Sequence, residues 1–363
     1  MSTLMPSSIE IITGIIVLFG GGELFVQGAA RLALILGIPQ LVIGLTVVSL
    51  GTSAPELFVS IGSFFKKSDS LAVSNVVGSN IFNVLVVLGS SALVMPLKVE
   101  SRLVKRDVPV LLAVSAAVWG MASSGKVTWQ AGVALLTALV INTIWEIRTA
   151  REEPNGIKEA EPKINTQSVA NGWLKALGKI SAGMLLLALG SNLLINGAKS
   201  LATLYGWSEA VIGLTIVSAG TSMPELITSL VASLRGQTDL AIGNVVGSSL
   251  LNQLLVLGSC AFISGNEGLD IDKILINRDF PIMVLTTLAC MPIFWTKGRI
   301  SRLEGGILLA LYILYLGDQI IPHTLPTFQA QFRFIAACIL LPLTMSFIIF
   351  KTIKYWRYKR ITN

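Results

Sequence analysis

One histidine and three cysteines are all that 363 residues offer as imidazole or thiolate metal ligands. His323 sits far from any motif, and Cys260, Cys290 and Cys338 lie in or beside apolar blocks without metal-ligand spacing. That scarcity argues against zinc and copper sites, and the odd cysteine count argues against a disulfide framework. The cysteines read as small packed side chains. Charge is scarce too, at 13% of residues against 53% hydrophobic. With a mean hydropathy of +0.75, this excludes a water-soluble domain. No residue pattern supplies a nucleophile with a base partner, so an intramembrane enzyme using paired carboxylates as acid and base finds no support, and no cofactor is expected.

What the chain has in abundance is long apolar runs. A bilayer core about 30 Å thick takes roughly 20 apolar helical residues per crossing. Eleven blocks qualify, near 9–35, 39–65, 71–96, 108–123, 128–146, 174–203, 208–234, 240–264, 280–296, 303–321 and 332–350. The expected fold is therefore all-α and polytopic. The first block is too long for a cleavable signal and is expected to stay.

The net charge of +7 collects on one side. Lys98, Arg102, Lys105 and Arg106 follow the third block, Arg148, Arg151, Lys158 and Lys163 the fifth, and Lys297, Arg299 and Arg302 the ninth. Lys351, Lys354, Arg357, Lys359 and Arg360 follow the eleventh, while the opposite loop at 265–279 carries Glu267, Asp270, Asp272 and Asp279. The positive-inside rule places the N-terminus outside and the C-terminus in the cytoplasm, in a plasma or inner membrane. Basic residues placed this way face lipid headgroups, which removes the case for nucleic acid.

Residues 44–89 align without gaps to 213–258 at a shift of 169, with 24 of 46 positions identical. Gly28 and Ala29 continue the match with Gly197 and Ala198. The duplicated unit has five blocks, an odd number, so the second copy enters the membrane from the opposite side. The expected organisation is a first inverted five-helix repeat at 1–147, a cytoplasmic linker at 148–172, a second repeat at 173–322, and an extra C-terminal helix with a basic tail at 323–363.

Inside the repeat, Ser49, Thr52, Ser53 and Glu56 stand on one helical face, and Ser218, Thr221, Ser222 and Glu225 repeat it. Pro55 and Pro224 release the carbonyls of Gly51 and Gly220, adding oxygen ligands. Asn75, Ser79 and Asn83 line the next helix, matched by Asn244, Ser248 and Asn252. Together they would form an all-oxygen cage suited to hard cations such as Ca²⁺ and Na⁺. A lone carboxylate at mid-bilayer costs on the order of 2.5–3.5 kcal/mol on insertion scales. Two would repel as well, so without a cation one or both would be protonated. One divalent ion, or several monovalent ions, relieves both penalties, which makes the two loads mutually exclusive. Gly44, Gly51, Gly78 and Ser60 read instead as close-packing residues.

Gly51-Thr52-Ser53-Ala54-Pro55-Glu56 and Gly220-Thr221-Ser222-Met223-Pro224-Glu225, followed by Asn75–Asn83 and Asn244–Asn252, resemble the two alpha repeats of the sodium/calcium exchanger family, in its bacterial and archaeal form. The resemblance spans roughly the first 320 residues. It implies that Glu56 and Glu225 bind both Ca²⁺ and Na⁺, that Thr52 and Thr221 add side-chain and backbone oxygens, and that Ser49 and Ser218 add backbone carbonyls. Ser53, Ser222, Ser79, Ser248, Asn83 and Asn252 would line the sodium positions. It further implies electrogenic exchange of several Na⁺ for one Ca²⁺ as the first and sixth helices slide across a rigid core. A calcium/proton exchanger on the same carboxylates is the alternative, and a channel is disfavoured by the inverted halves. Three features depart from the family pattern: Asn252 where some relatives carry Asp, Ser249 where Asn is usual, and the eleventh block.

Overall fold

The computed structural model describes residues 4–65, 68–152, 166–204, 218–295 and 298–335, with single positions 338 and 346. Helix α1 (Leu4–Leu36) is followed by α2 (Gln40–Ile43), a π turn (Gly44–Val48), α3 (Ser49–Thr52) and α4 (Ala54–Phe65). Next come α5 (Asp69–Phe82), a π turn (Asn83–Val87), α6 (Leu88–Val94), a π turn (Leu103–Asp107), α7 (Val108–Ala122) and α8 (Trp129–Glu152). The second half runs through α9 (Thr166–Leu204), α10 (Ser218–Thr221), α11 (Met223–Leu234), α12 (Thr238–Leu251), a π turn (Asn252–Leu257) and α13 (Gly258–Ile263). A π turn (Leu275–Asp279), α14 (Phe280–Trp295), α15 (Arg302–Thr324) and α16 (Gln329–Ile335) complete it.

Among the described residues, six helices are long and apolar enough to cross a membrane, and the bent pair Gln40–Thr52 with Ala54–Phe65 makes a seventh. The chain is a multi-pass membrane protein. The expected blocks at 108–123 and 280–296 appear as α7 and α14, each entered through a π turn. The block at 208–234 is described only from Ser218 onward, and most of 332–350 lies outside the described residues. Helices reach into the expected linker from both sides, to Glu152 and from Thr166, and 153–165 is outside the description.

Two short strand pairs reveal the inversion. β1 (Leu97–Lys98) pairs antiparallel with β4 (Arg299–Ile300), and β2 (Lys126–Val127) with β3 (Leu269–Asp270). β1 and β3 occupy equivalent places in the two repeats, as do β2 and β4. Were the repeats parallel, equivalents would share a face; instead each strand meets the other's counterpart. The loops expected on one side of the membrane, near 97–98 and 299–300, are the ones that pair.

α1 and α9 lie antiparallel along their length. A Cβ at Gly14 would come within 2.9 Å of the Gly190 carbonyl oxygen, and one at Gly21 within 3.0 Å of that of Gly183. Small residues let backbones approach closely where lipid supplies no hydrophobic drive between helices. The outer faces of these helices and of α8 and α15 carry Ile16, Leu185, Ile141 and Ile313, each more than 60% exposed, as a lipid-facing surface requires. The centre is different: the spans Asp69–Val94 and Thr238–Ile263 are mostly buried. Those two spans carry the polar stripes.

Candidate cation site

The Glu-bearing helices break where sequence reading placed the interruption. Ser53 (φ −83°, ψ 4°) separates α3 from α4, and Ser222 (φ −89°, ψ 8°) separates α10 from α11. Pro55 and Pro224 sit just beyond, where a missing N–H is tolerated. The breaks leave Glu56 and Glu225 in the first turns of α4 and α11, at helix ends whose dipoles favour negative charge.

Both carboxylates are fully buried, and they are cross-linked between repeats. Ser53 Oγ of the first repeat donates to Glu225 Oε1 at 3.1 Å, and Ser222 Oγ of the second donates to Glu56 Oε1 at 2.9 Å. Ser222 and Ser79 hydroxyls lie 3.0 Å apart. The Asn residues join the halves in the same manner. Thr52 Oγ1 donates to Asn244 Oδ1 at 3.1 Å and lies 3.3 Å from Ser248 Oγ, while Thr221 Oγ1 donates to Asn75 Oδ1 at 3.3 Å. Asn75 Nδ2 in turn donates to Ser60 Oγ (3.0 Å), and Asn244 Nδ2 to Ser229 Oγ (2.9 Å). Ser60 and Ser229 thus orient the site's amides, a role that packing alone did not anticipate.

Several groups at this centre are left over. Glu56 Oε2, Glu225 Oε2 and both amide atoms of Asn83 and of Asn252 are buried without a hydrogen-bond partner. A buried polar group left unpaired costs about 1–3 kcal/mol, so a native chain concentrates such groups only where something else satisfies them. Four of the six are oxygens. Among the described residues no group of three or more His, Cys, Asp or Glu is placed to hold a metal ion, so the donor set here is two carboxylates with neutral oxygens, the chemistry of hard cations.

One other predicted residue stands apart. Ser49 Oγ donates to the Gly44 carbonyl at 2.5 Å and lies 3.2 Å from that of Asn244. Its side chain holds the π turn against α12, where a Cβ at Gly243 would lie 2.6 Å from the Leu41 carbonyl oxygen. The Ser49 carbonyl already accepts the Ser53 N–H at 2.9 Å. The side chain of Ser218 lies outside the description. Of the released carbonyls, that of Gly220 accepts Ser191 Oγ from α9 at 2.6 Å, so it serves helix packing. The equivalent of Ser191 in α1 is Gly22, which has no hydroxyl. Two residues that sequence reading passed over also join the buried polar centre, Asn80 and Gln253; polarity inside an apolar block was the signal available for both.

A family model described as sodium/calcium exchanger protein matches residues 8–148 and 175–321. The chain belongs to that family. As a member of the sodium/calcium exchanger family it aligns with the putative antiporter CaxA of Alkalimonas amylolytica at 35% identity, covering 86% of this chain and 98% of the relative. It aligns with inner membrane protein YrbG of Escherichia coli at 31%, covering 84% and 95%. Among solved structures, the sodium-calcium exchanger NCX_Mj soaked with Na⁺ and Sr²⁺ superposes with a TM-score of 0.73 at 29% identity, over 86% of this chain and 98% of that one. Members of this family are transporters, and this one is a cation antiporter by kinship. The segment from 322 onward lies beyond the family match.

Proposed function

We propose that this exchanger carries Na⁺ in one direction and Ca²⁺ in the other through one central site formed by both repeats. The observation that carries the reading is the pair of buried carboxylates, each held by a serine from the opposite half through one oxygen and left with a second oxygen unpartnered. Glu56 and Glu225 are the shared ligands. Thr52 and Thr221 contribute oxygens beside them, and Ser53, Ser222, Ser79, Ser248, Asn83 and Asn252 line the monovalent positions. Ser49 and Ser218 contribute through backbone only. One Ca²⁺ neutralises both carboxylates, and Na⁺ ions replace it in the same space, so occupancy by one excludes the other. The kinship with an exchanger studied with Na⁺ and Sr²⁺, a Ca²⁺ surrogate of the same charge, supports this choice.

We infer also that the N-terminus faces outward and the C-terminus the cytoplasm. The pairing of the loops at 97–98 and 299–300, both bordered by basic residues, supports that orientation. The division into repeats at 1–147 and 173–322, a linker at 148–172 and an extra segment at 323–363 is consistent with the two family-model matches.

The test is calcium uptake by inverted vesicles driven by a Na⁺ gradient with the pH gradient collapsed. Uptake that follows the Na⁺ gradient is expected. Uptake that requires a pH gradient and ignores Na⁺ would assign the site to calcium/proton exchange instead.

A further inference from the structure

Two of the differences between the repeats place or remove an amide beside the ligand-bearing residues. At the shift of 169, Asn80 stands opposite Ser249 and Val84 opposite Gln253. The second repeat therefore lacks an amide where the first has one, and gains an amide one helical turn later. The two differences meet in space. Gln253 Nε2 donates to the Ser249 carbonyl at 3.1 Å and reaches Asn80 Oδ1 across the helix interface at 3.4 Å. Asn80 Nδ2 is held by the Val76 carbonyl at 2.8 Å. Asn80, Ser249 and Gln253 are each at most 2% exposed.

The bridge touches both ligand-bearing turns at once. Asn80 follows Ser79 and precedes Asn83 on α5, while Ser249 follows Ser248 and Gln253 follows Asn252. Asn83 and Asn252 each open a π turn, and the turn at Asn252–Leu257 has six residues against five at Asn83–Val87. π turns interrupt the regular helical ladder and re-aim the side chains they contain. A wider turn needs a tether if its first side chain is to keep a fixed aim. Gln253 is the second residue of that turn and is fastened to the opposite repeat. The trio is neutral, and a neutral trio lacks the charge to hold a desolvated cation by itself, so the bridge acts through its neighbours.

We propose that Gln253 is a positioning residue: by bonding Asn80 it fixes the separation of Asn252 from Asn83 and so sets the affinity of the central site for cations. The amide that Ser249 does not provide is supplied from the next turn. This rests on the reading of Asn83 and Asn252 as ion-lining groups.

The experiment measures the Kd for Ca²⁺ by calorimetry, with the melting temperature, on purified wild type, Gln253→Val, Gln253→Met and the double variant Ser249→Asn/Gln253→Val, which restores the pattern of the first repeat. Each single variant is expected to weaken Ca²⁺ binding about fivefold, the size of one lost buried hydrogen bond. The double variant is expected to recover to within about twofold of wild type. Unchanged Kd in both single variants would overturn the proposal, and so would a weakening that the double variant does not relieve. If Gln253→Val does not reach the membrane, the near-isosteric Gln253→Met and the double variant decide on the same terms. A wild type that binds no Ca²⁺ would instead defeat the exchange reading itself, whereas a wild type that binds and variants that match it would defeat only this inference.

Discussion

At the end of the first repeat, Arg102 and Arg106 close over Asp107 and Glu146, with Arg106 stacked 4.0 Å above the Trp145 ring and the Arg106 Nη2 to Glu146 Oε1 contact at 3.0 Å. In the second repeat Arg278 and Asp279 occupy the matching place, but Asp279 accepts from Gln319 and Tyr315. Asp318 pairs with Arg333, which comes from beyond the family match. Set beside these clusters, the candidate cation site is nearly symmetric: serine to opposite glutamate, threonine to opposite asparagine, in both directions. The contrast separates two kinds of residue. Groups that join the two halves at the candidate site are matched, as the proposed function requires if both repeats are to offer the same ligands to one central ion. Groups that hold one half to its own surroundings, such as Ser191 on the Gly220 carbonyl, are free to differ.

That distinction is open to attack in order of expected effect. Glu56→Gln and Glu225→Gln should each abolish Ca²⁺ transport, since each removes a charge and keeps the shape, while membrane insertion is retained. Retained exchange in either variant would break the symmetry claim at its strongest point. Arg102→Ala should lower stability by about 3 kcal/mol, because it leaves buried acids undercompensated. Its readout is the thermal midpoint of the purified protein, with ion affinity unchanged. Ser53→Ala and Ser222→Ala should each weaken ion binding about tenfold, as expected for a hydrogen bond to a charged group, and the two losses should agree with each other. A tenfold disparity between them would show that the halves are not equivalent. Arg333→Ala should cost less than about 1 kcal/mol, since Arg333 is half exposed and exposed pairs contribute little. Comparing its melting temperature with that of Arg102→Ala therefore measures how differently the two repeats are fastened.

Much of the candidate site was legible because it is written twice. Glu56 and Glu225, with Thr52, Ser53, Thr221 and Ser222, stood out by recurrence at a fixed shift inside apolar blocks, and the structure brings these side chains into one buried network. The odd number of blocks per repeat already required inversion, which the crossed strand pairs display. What escaped was whatever depends on a local break in the helix or on the neighbour across an interface. A helical wheel puts Ser49 on the face of Glu56, yet its hydroxyl turns back to the Gly44 carbonyl because the π turn between them brings that carbonyl within reach. Pro224 does free the Gly220 carbonyl, but no local rule says that Ser191, 29 residues earlier, will take it. Asn80 and Gln253 interrupt the repeat, and a search for recurrence passes over residues that matter by being different. The short pairings at Leu97–Lys98 and Leu269–Asp270 were likewise invisible, since two-residue strands leave no periodicity to read.

Titration of purified wild-type protein with Ca²⁺ at stepped Na⁺ concentrations puts the shared site most directly at risk. Two carboxylates, one from each inverted half, should yield a single Ca²⁺ isotherm whose apparent Kd climbs as Na⁺ rises, with the number of bound Ca²⁺ unchanged. An isotherm indifferent to Na⁺, or one that survives intact in the Glu56→Gln/Glu225→Gln double variant, would mean that the ions do not compete for this pair.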